Sequence, residues 1–541
     1  MHRLPLALVL LLVACDGDPP AADDAGAPTP DAGDVSADAG DAGAPDPDAG
    51  AVTPSRTVTT SSGDVVGVLD EAVEVFRSIP YAEPPVGALR FERPQPHAGW
   101  SDTLDTATTD HDATCPQVDR MTEEQLGDED CLVLNVFAPT ESSSRPVMVF
   151  IHGGGFTGGT ASDPLYDGRA LASRDVVVFT LNYRLGVLGF LAAPDLVEGD
   201  GGAGNLGLWD QRLALQWIRD NAAAFGGDPE NITIFGESAG AVSVLAQMTS
   251  PRSTGLFARA IAESGGGGFG TATQAEAMTR YEPIVAELGC DGAADLRECL
   301  RALDVSTLLD ATDAAGSSAL GLPAIGPHLD GAFLVDDPYD VVAAGTRDVP
   351  FVIGSNADEA TVFTRMLPVP TMAAFRTVLE GVYDEATVDG VLAIYDEATF
   401  GTPKAAFNEF FGEVGFVCPT LALAAAGAEG ESAYVYHFTR VLPGLASALG
   451  AFHGLELIYV FGNTDVSPAY TPNADDAALV ETMQRAWVGY ATDGSPDFDP
   501  GWDPYSESSP AFAIFDEPPS AATEIVEGRC AELAALGLGL P

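Results

Sequence analysis

Lysine is all but absent. Lys404 is the single one, and cationic side chains total 24 against 80 Asp and Glu, a formal net charge of −56. Such a surface repels DNA, RNA and anionic lipid headgroups, so no nucleic-acid partner is expected. It suits a very soluble protein; salt adaptation and genome composition account for it equally well. No CxxC pair and no His-rich pair occurs, so no metal site is expected. The apolar run at the start, Leu4 to Val13, is too short to cross a bilayer.

That run belongs to "MHRLPLALVLLLVACDGD", where Arg3 gives a basic start and Ala14 precedes Cys15. It reads as a secretory signal. "LVAC" at 12–15 resembles a bacterial lipobox, which implies a leader over 1–14 and a lipid on Cys15. The next stretch is Asp, Ala, Gly and Pro, without a basic residue and with Val35 and Val52 as its β-branched aliphatics. It cannot bury enough apolar area to fold. Residues 15–54 therefore read as a lipid-anchored, self-repelling tether. They place an exported protein in a bacterial cell envelope, held to the membrane through the N-terminal anchor alone. Residues 55–541 read as one domain. With Cys15 acylated, six cysteines remain: Cys115, Cys131, Cys290, Cys299, Cys418 and Cys530. An even number behind an export signal predicts three disulfides, and spacing alone leaves the pairing open.

Within the domain, "RPVMVFIH" (145–152), "DVVVFTLNYR" (175–184), "NITIFG" (231–236), "FARAIAES" (257–264) and "VPFVIGSN" (349–356) are buried-strand runs. Between them, 205–231 has helical apolar spacing and ends at Gly226-Gly227-Asp228-Pro229, and 238–250 reads as a small-residue helix. Alternating strands and helices predict an α/β fold with a large, mostly parallel sheet covered on both faces.

"FGESAG" at 235–240 puts Ser238 in G-x-S-x-G between a strand and a helix, the setting of a nucleophile elbow. The flanking glycines make room for a strained turn, and the helix N-terminus faces developing negative charge. "HGGGF" at 152–156 directly follows a strand, so the amides of Gly154 and Gly155, with that of Ala239, are candidate oxyanion donors. A serine also needs a base. The chain order Ser, acid, His leaves His328, His437 and His453. His152 reads as structural. Among eighty acids, Glu359 in "GSNADEATVF" stands out because it follows a strand end, where such sheets carry functional loops.

With "FRSIPYAEPPVGALRFERPQP" (76–96), "EDCLVLNVFAP" (129–139), "NYRLGVLGFL", "GNLGLWDQRLALQWIRDNAAAFGGDPENITIFGESAGA" and "AFHGLELIYVFG", these motifs make the domain resemble the type B carboxylesterases, which include the cholinesterases. The resemblance runs through the whole domain. It implies an α/β-hydrolase fold and ester hydrolysis through an acyl-enzyme, with Ser238 as nucleophile, Glu359 as acid and His453 as base. It implies an oxyanion hole at Gly154, Gly155 and Ala239, and disulfides Cys115–Cys131, Cys290–Cys299 and Cys418–Cys530. Glu237, Ser264 and Glu456 match polar positions lining the site in relatives. A small ester is the implied substrate, and no cofactor is implied. Two departures stand out. Ala360 follows Glu359 where the family has glycine. The loop "PQVDRMTEEQLGDED" between Cys115 and Cys131 has no aromatic ring for a cation–π contact, so choline esters are not the expected substrates.

Two rival readings compete. "GGGGFG" (265–270) formally matches a dinucleotide-binding turn, but no acidic residue follows at a ribose position. Some members of the family have lost the triad and act as adhesion modules; here all three residues and the glycine loop are present, which favours an enzyme over a binding module.

Overall fold

The computed structural model describes residues 53–538 except 108–112, 120–121, 141–143, 267–271, 315–324, 346–348, 429–432, 466–469 and 527. The expected leader, Cys15, the tether up to residue 52 and most of "GGGGFG" lie outside the described residues.

Eleven strands form the central sheet. In chain order they are β1 (Val68–Asp70), β2 (Val73–Pro80), β3 (Val133–Pro139), β4 (Arg145–Ile151), β5 (Val177–Leu181), β6 (Gly227–Glu237), β7 (Arg259–Glu263), β8 (Phe351–Asn356), β9 (Ala433–Phe438), β10 (Phe512–Phe515) and β11 (Ser520–Ala522). Their spatial order is β11-β10-β9-β8-β7-β6-β4-β5-β3-β2-β1. The run from β10 to β5 is parallel, and antiparallel strands close both edges. This is the large, mostly parallel sheet that the strand–helix alternation predicts.

Strand β4 shows why the sheet lies inside. Val147, Val149 and Ile151 enter one apolar core and Met148 and Phe150 the other, so both faces of an uninterrupted apolar run are covered. Helices α1 (Leu206–Asn221) and α2 (Ala239–Thr249) supply the first face. Helices α6 (Leu457–Val460) and α7 (Ala474–Asp493) supply the second. A third core joins α3 (Met372–Glu380), α4 (Pro403–Gly412), a π-helical turn at Glu413–Val417, α5 (Cys418–Ala428) and the C-terminal α8 (Arg529–Ala535).

The helix expected from 205 to the stop at Gly226 ends at Asn221. A 3₁₀ turn, Ala222–Phe225, follows, and Gly226 (φ 86°) turns the chain into β6, which takes up Gly227 to Glu230 as strand. The left-handed conformation, which glycine adopts without a Cβ penalty, marks the entry into the strand. The three disulfides join Cys115–Cys131, Cys290–Cys299 and Cys418–Cys530, the pairing implied by the resemblance.

Candidate active site

Ser238 is the single residue between β6 and α2, at φ 56° and ψ −123°. A non-glycine residue adopts this backbone only where its surroundings enforce it. The glycines on either side are required sterically. A Cβ on Gly236 would lie 2.6 Å from the Ile151 carbonyl oxygen, and one on Gly240 2.0 Å from the same atom. The turn is thus pressed against the end of β4, and the Ser238 amide donates to Glu263 O at 2.9 Å. The side chain remains partly exposed at the carboxyl end of the parallel strands.

The glycine loop leaves the end of β4 toward Ser238. A Cβ on Gly153 would stand 3.1 Å from that of Ser238. Gly154 (φ 103°) and Gly155 (φ 63°) hold left-handed conformations. Among the described residues, no protein acceptor takes a hydrogen bond from the amides of Gly154, Gly155 or Ala239. Ala239 is the first residue of α2, where no intrahelical partner exists.

His453 lies on the loop before α6. Its Nδ1 donates to Glu359 Oε2 at 2.6 Å. Glu359 is buried at the end of β8, and its Oε1 accepts the Asn356 amide at 2.7 Å. The other ring nitrogen, Nε2, lies 3.0 Å from Glu237 Oε1, a close charge contact whose angles do not make a hydrogen bond. No hydrogen bond joins His453 to the Ser238 hydroxyl among the described residues. Burial would lower the His453 pKa, but Glu237 and Glu359 outweigh it and raise it to about 9. Burial raises Glu237 to about 7 despite His453.

His152, His328 and His437 are engaged elsewhere. His152 is stacked on Tyr183 with ring centroids 4.5 Å apart, donates to Gly153 O, and is pushed by burial down to about 4. It supports the glycine loop, as the sequence suggests. His328 is buried against Ala203 O, and His437 sits on β9 near Ser355. Neither contacts Glu359 or Ser238 by hydrogen bond. Ala360 has φ −74° and ψ −18°, comfortable for any L residue, so the usual glycine is not needed there.

Glu237, Ser264 and Glu456 are all buried beneath the site. Among the described residues, Ser264 Oγ and Glu456 Oε1 have no hydrogen-bond partner. Sequence reasoning misses four companions. Asn356 links two acids, with its amide on Glu359 and its side chain on Glu456. Glu263 accepts from Trp487 Nε1 at 3.0 Å, and burial raises it to about 8. Phe363 and Phe416 place ring centroids 4.8 and 5.0 Å from that of His453. Only the position of Glu263 and Asn356 at strand ends hints at them in the sequence.

The chain matches the model of the carboxylesterase family over residues 54–532. It is 36% identical over 475 residues to the para-nitrobenzyl esterase of Bacillus subtilis (strain 168), covering 85% of this chain and 94% of that one. It is 38% identical over 458 residues to the fumonisin B1 esterase of Sphingopyxis macrogoltabida, covering 81% of this chain and 82% of that one. A solved PNB esterase structure superposes with a TM-score of 0.78 at 34% identity, over 88% of this chain and 99% of that one. These relatives carry the α/β-hydrolase assignment and ester hydrolysis to this chain, against the adhesion reading. A strained serine elbow, a glycine loop with open amides and a carboxylate-bound histidine thus sit in a chain that belongs to the carboxylesterase family and is a carboxylic ester hydrolase.

Proposed function

We propose that this protein cleaves small carboxylic esters through a Ser238 acyl-enzyme, with His453 as base and Glu359 as its orienting acid. His453 Nε2 takes the hydroxyl proton as Ser238 Oγ attacks the carbonyl carbon. The carbonyl oxygen becomes an oxyanion that the amides of Gly154, Gly155 and Ala239 receive; losing one such donor typically costs about 10²–10³ in rate. His453 returns the proton to the departing alcohol. Water, deprotonated by the same nitrogen, then releases the acid and restores Ser238. The observation that carries this reading is the 2.6 Å bond from His453 Nδ1 to Glu359, because it leaves Nε2 as the one ring nitrogen open to exchange a proton. Nε2 faces Glu237 here; catalytic hydrogen bonds commonly tighten only once substrate is bound. Glu237 offsets the charge that His453 gains, while Ser264 and Glu456 belong to the polar floor beneath it.

The test is turnover of p-nitrophenyl acetate, butyrate, octanoate and laurate by the chain from Ser55 onward, wild type beside Ser238→Ala. The variant is expected to lose turnover on every chain length, and full activity in it would refute the site.

The lipobox-like "LVAC" and the acidic tether support membrane attachment through a lipid on Cys15. Cys15→Ser is expected to move the protein from the membrane to the soluble fraction; unchanged attachment would refute the anchor.

A further inference from the structure

The candidate base and its acid sit on two separate loops, and they are anchored differently. Glu359 follows β8 closely, and its Oε1 is fixed on the Asn356 amide at 2.7 Å. His453 lies in the loop that joins a 3₁₀ turn ending at Leu449 to α6, between left-handed Gly450 (φ 66°) and Gly454 (φ 79°). A base carried on a loop holds its aim only where other contacts fix that loop.

The contacts that do so come from the turn that bears the acid. The Asp358 amide donates to Ala451 O at 3.0 Å, and the Ala451 amide donates back to Asp358 Oδ2 at 2.8 Å. The Thr361 hydroxyl is shared between Leu449 O at 2.7 Å and Asp358 O at 2.9 Å. Asn356 Nδ2 donates to Phe452 O at 2.8 Å. Residues 356–361 therefore run alongside 449–453, with the His453–Glu359 bond in the same row. Gly450 is part of the fit. A Cβ there would fall 2.1 Å from Asp358 Oδ2, and its backbone, φ 66° and ψ −151°, is practically confined to glycine. The carboxylate occupies the space that a side chain at 450 would need. Glu359 and, from α4, Glu409 are the acids near the Asp358 carboxylate, and Arg529 pairs with Glu409.

We propose that Asp358 is a positioning residue for ester hydrolysis: its carboxylate, as the acceptor for the Ala451 amide, stitches the loop of the base to the turn of the acid and so sets the 2.6 Å bond from His453 Nδ1 to Glu359. Thr361 is the second stitch. This rests on the reading of His453 as the catalytic base and Glu359 as its acid. Asp358 acts through the aim of the imidazole rather than on the ester, and a misplacement of about 1 Å can cost about 10²-fold in rate.

The experiment measures kcat, KM and the pH profile of p-nitrophenyl butyrate hydrolysis by the full chain, with Asp358→Ala, Asp358→Asn and Thr361→Val beside wild type. Both Asp358 variants lose the charge, but asparagine keeps an acceptor for the Ala451 amide. Asp358→Ala is expected to lower kcat about 10- to 100-fold with KM little changed, and Asp358→Asn to recover most of that loss. A weaker bond to Glu359 also lowers the His453 pKa, so the acidic limb of kcat/KM moves to lower pH, and further in Asp358→Ala than in Asp358→Asn. Wild-type kcat in Asp358→Ala would overturn the proposal. So would an asparagine variant that loses as much as alanine, or a limb that moves equally in both, since lost charge alone would then explain the effect. Where Asp358→Ala does not fold, Thr361→Val carries the test, because it keeps the shape and removes the hydroxyl. It is expected to lower kcat with KM little changed, and unchanged kcat in it would overturn the stitching. Glu359→Gln separates the two failures. Turnover kept in that variant counts against the catalytic reading; turnover lost in it beside an unaffected Asp358→Ala counts against Asp358 alone.

Discussion

Replacing Glu263 with glutamine should make the protein more stable at alkaline pH and leave it nearly unchanged at acid pH. Glu263 is fully buried, with Oε1 on the Trp487 indole and, among the described residues, no partner for Oε2. Burial first, and Glu237 after it, raise its pKa from 4.5 to about 8 against the Trp487 hydrogen bond. The folded state therefore holds a proton that the unfolded chain releases near 4.5. Stability from this group is complete below pH 4.5 and is lost as pH rises through about 8. At about 1.36 kcal/mol per pH unit, the loss has a ceiling of about 5 kcal/mol. For a folded unit of roughly 480 residues, unfolding entropy is about 1 kcal/mol per kelvin, so the ceiling is about 5 °C in Tm. Glutamine keeps the acceptor for Trp487 and cannot ionise. The assay is Tm of wild type and Glu263→Gln from pH 5 to pH 9, at fixed ionic strength and scan rate. The Tm difference should grow in favour of the variant across that range. A difference that stays constant with pH would refute the reasoning.

Three other outcomes are expected. Glu237→Gln removes a negative charge 3.0 Å from His453 Nε2, so the His453 pKa falls and the acidic limb of the kcat/KM–pH profile moves to lower pH; a limb that stays put or moves up contradicts the assignment. Asp210→Asn strips the partner from Arg184, whose side chain is 4% exposed against 0% for Asp210, and should cost about 3–5 kcal/mol in denaturant unfolding. Removing Cys418–Cys530, which spans 112 residues, should cost about 2–5 kcal/mol, read as a lower unfolding midpoint of the double Cys→Ala variant.

The parts legible in the sequence are those set by local chemistry. Gly236, Ser238 and Gly240 are dictated by one close approach to Ile151 O, so their spacing carries the signal. The buried parallel strands read as apolar runs because both of their faces are covered. The acid is different: nothing local marks Glu359 among eighty acids except its place after β8, and the family resemblance supplies the rest. What stays hidden depends on distant segments. Trp487 meets Glu263 across 224 positions, Asn356 meets Glu456 across 100, and Arg529 meets Glu413 across 116. No periodicity records such contacts. The antiparallel edge formed by β1 and β2 is also silent, since β1 is short and only partly buried and β2 is interrupted by a register shift between Phe76 and Ile79.

The most direct test of the central claim is covalent trapping of the nucleophile. The chain from Ser55 onward is treated with a p-nitrophenyl alkylphosphonate, and the adduct is located by peptide mass spectrometry. The account predicts one equivalent released as p-nitrophenol, loss of esterase turnover in step with it, and the phosphonate on Ser238. An adduct on another residue, or full turnover after Ser238 has been modified, would contradict it.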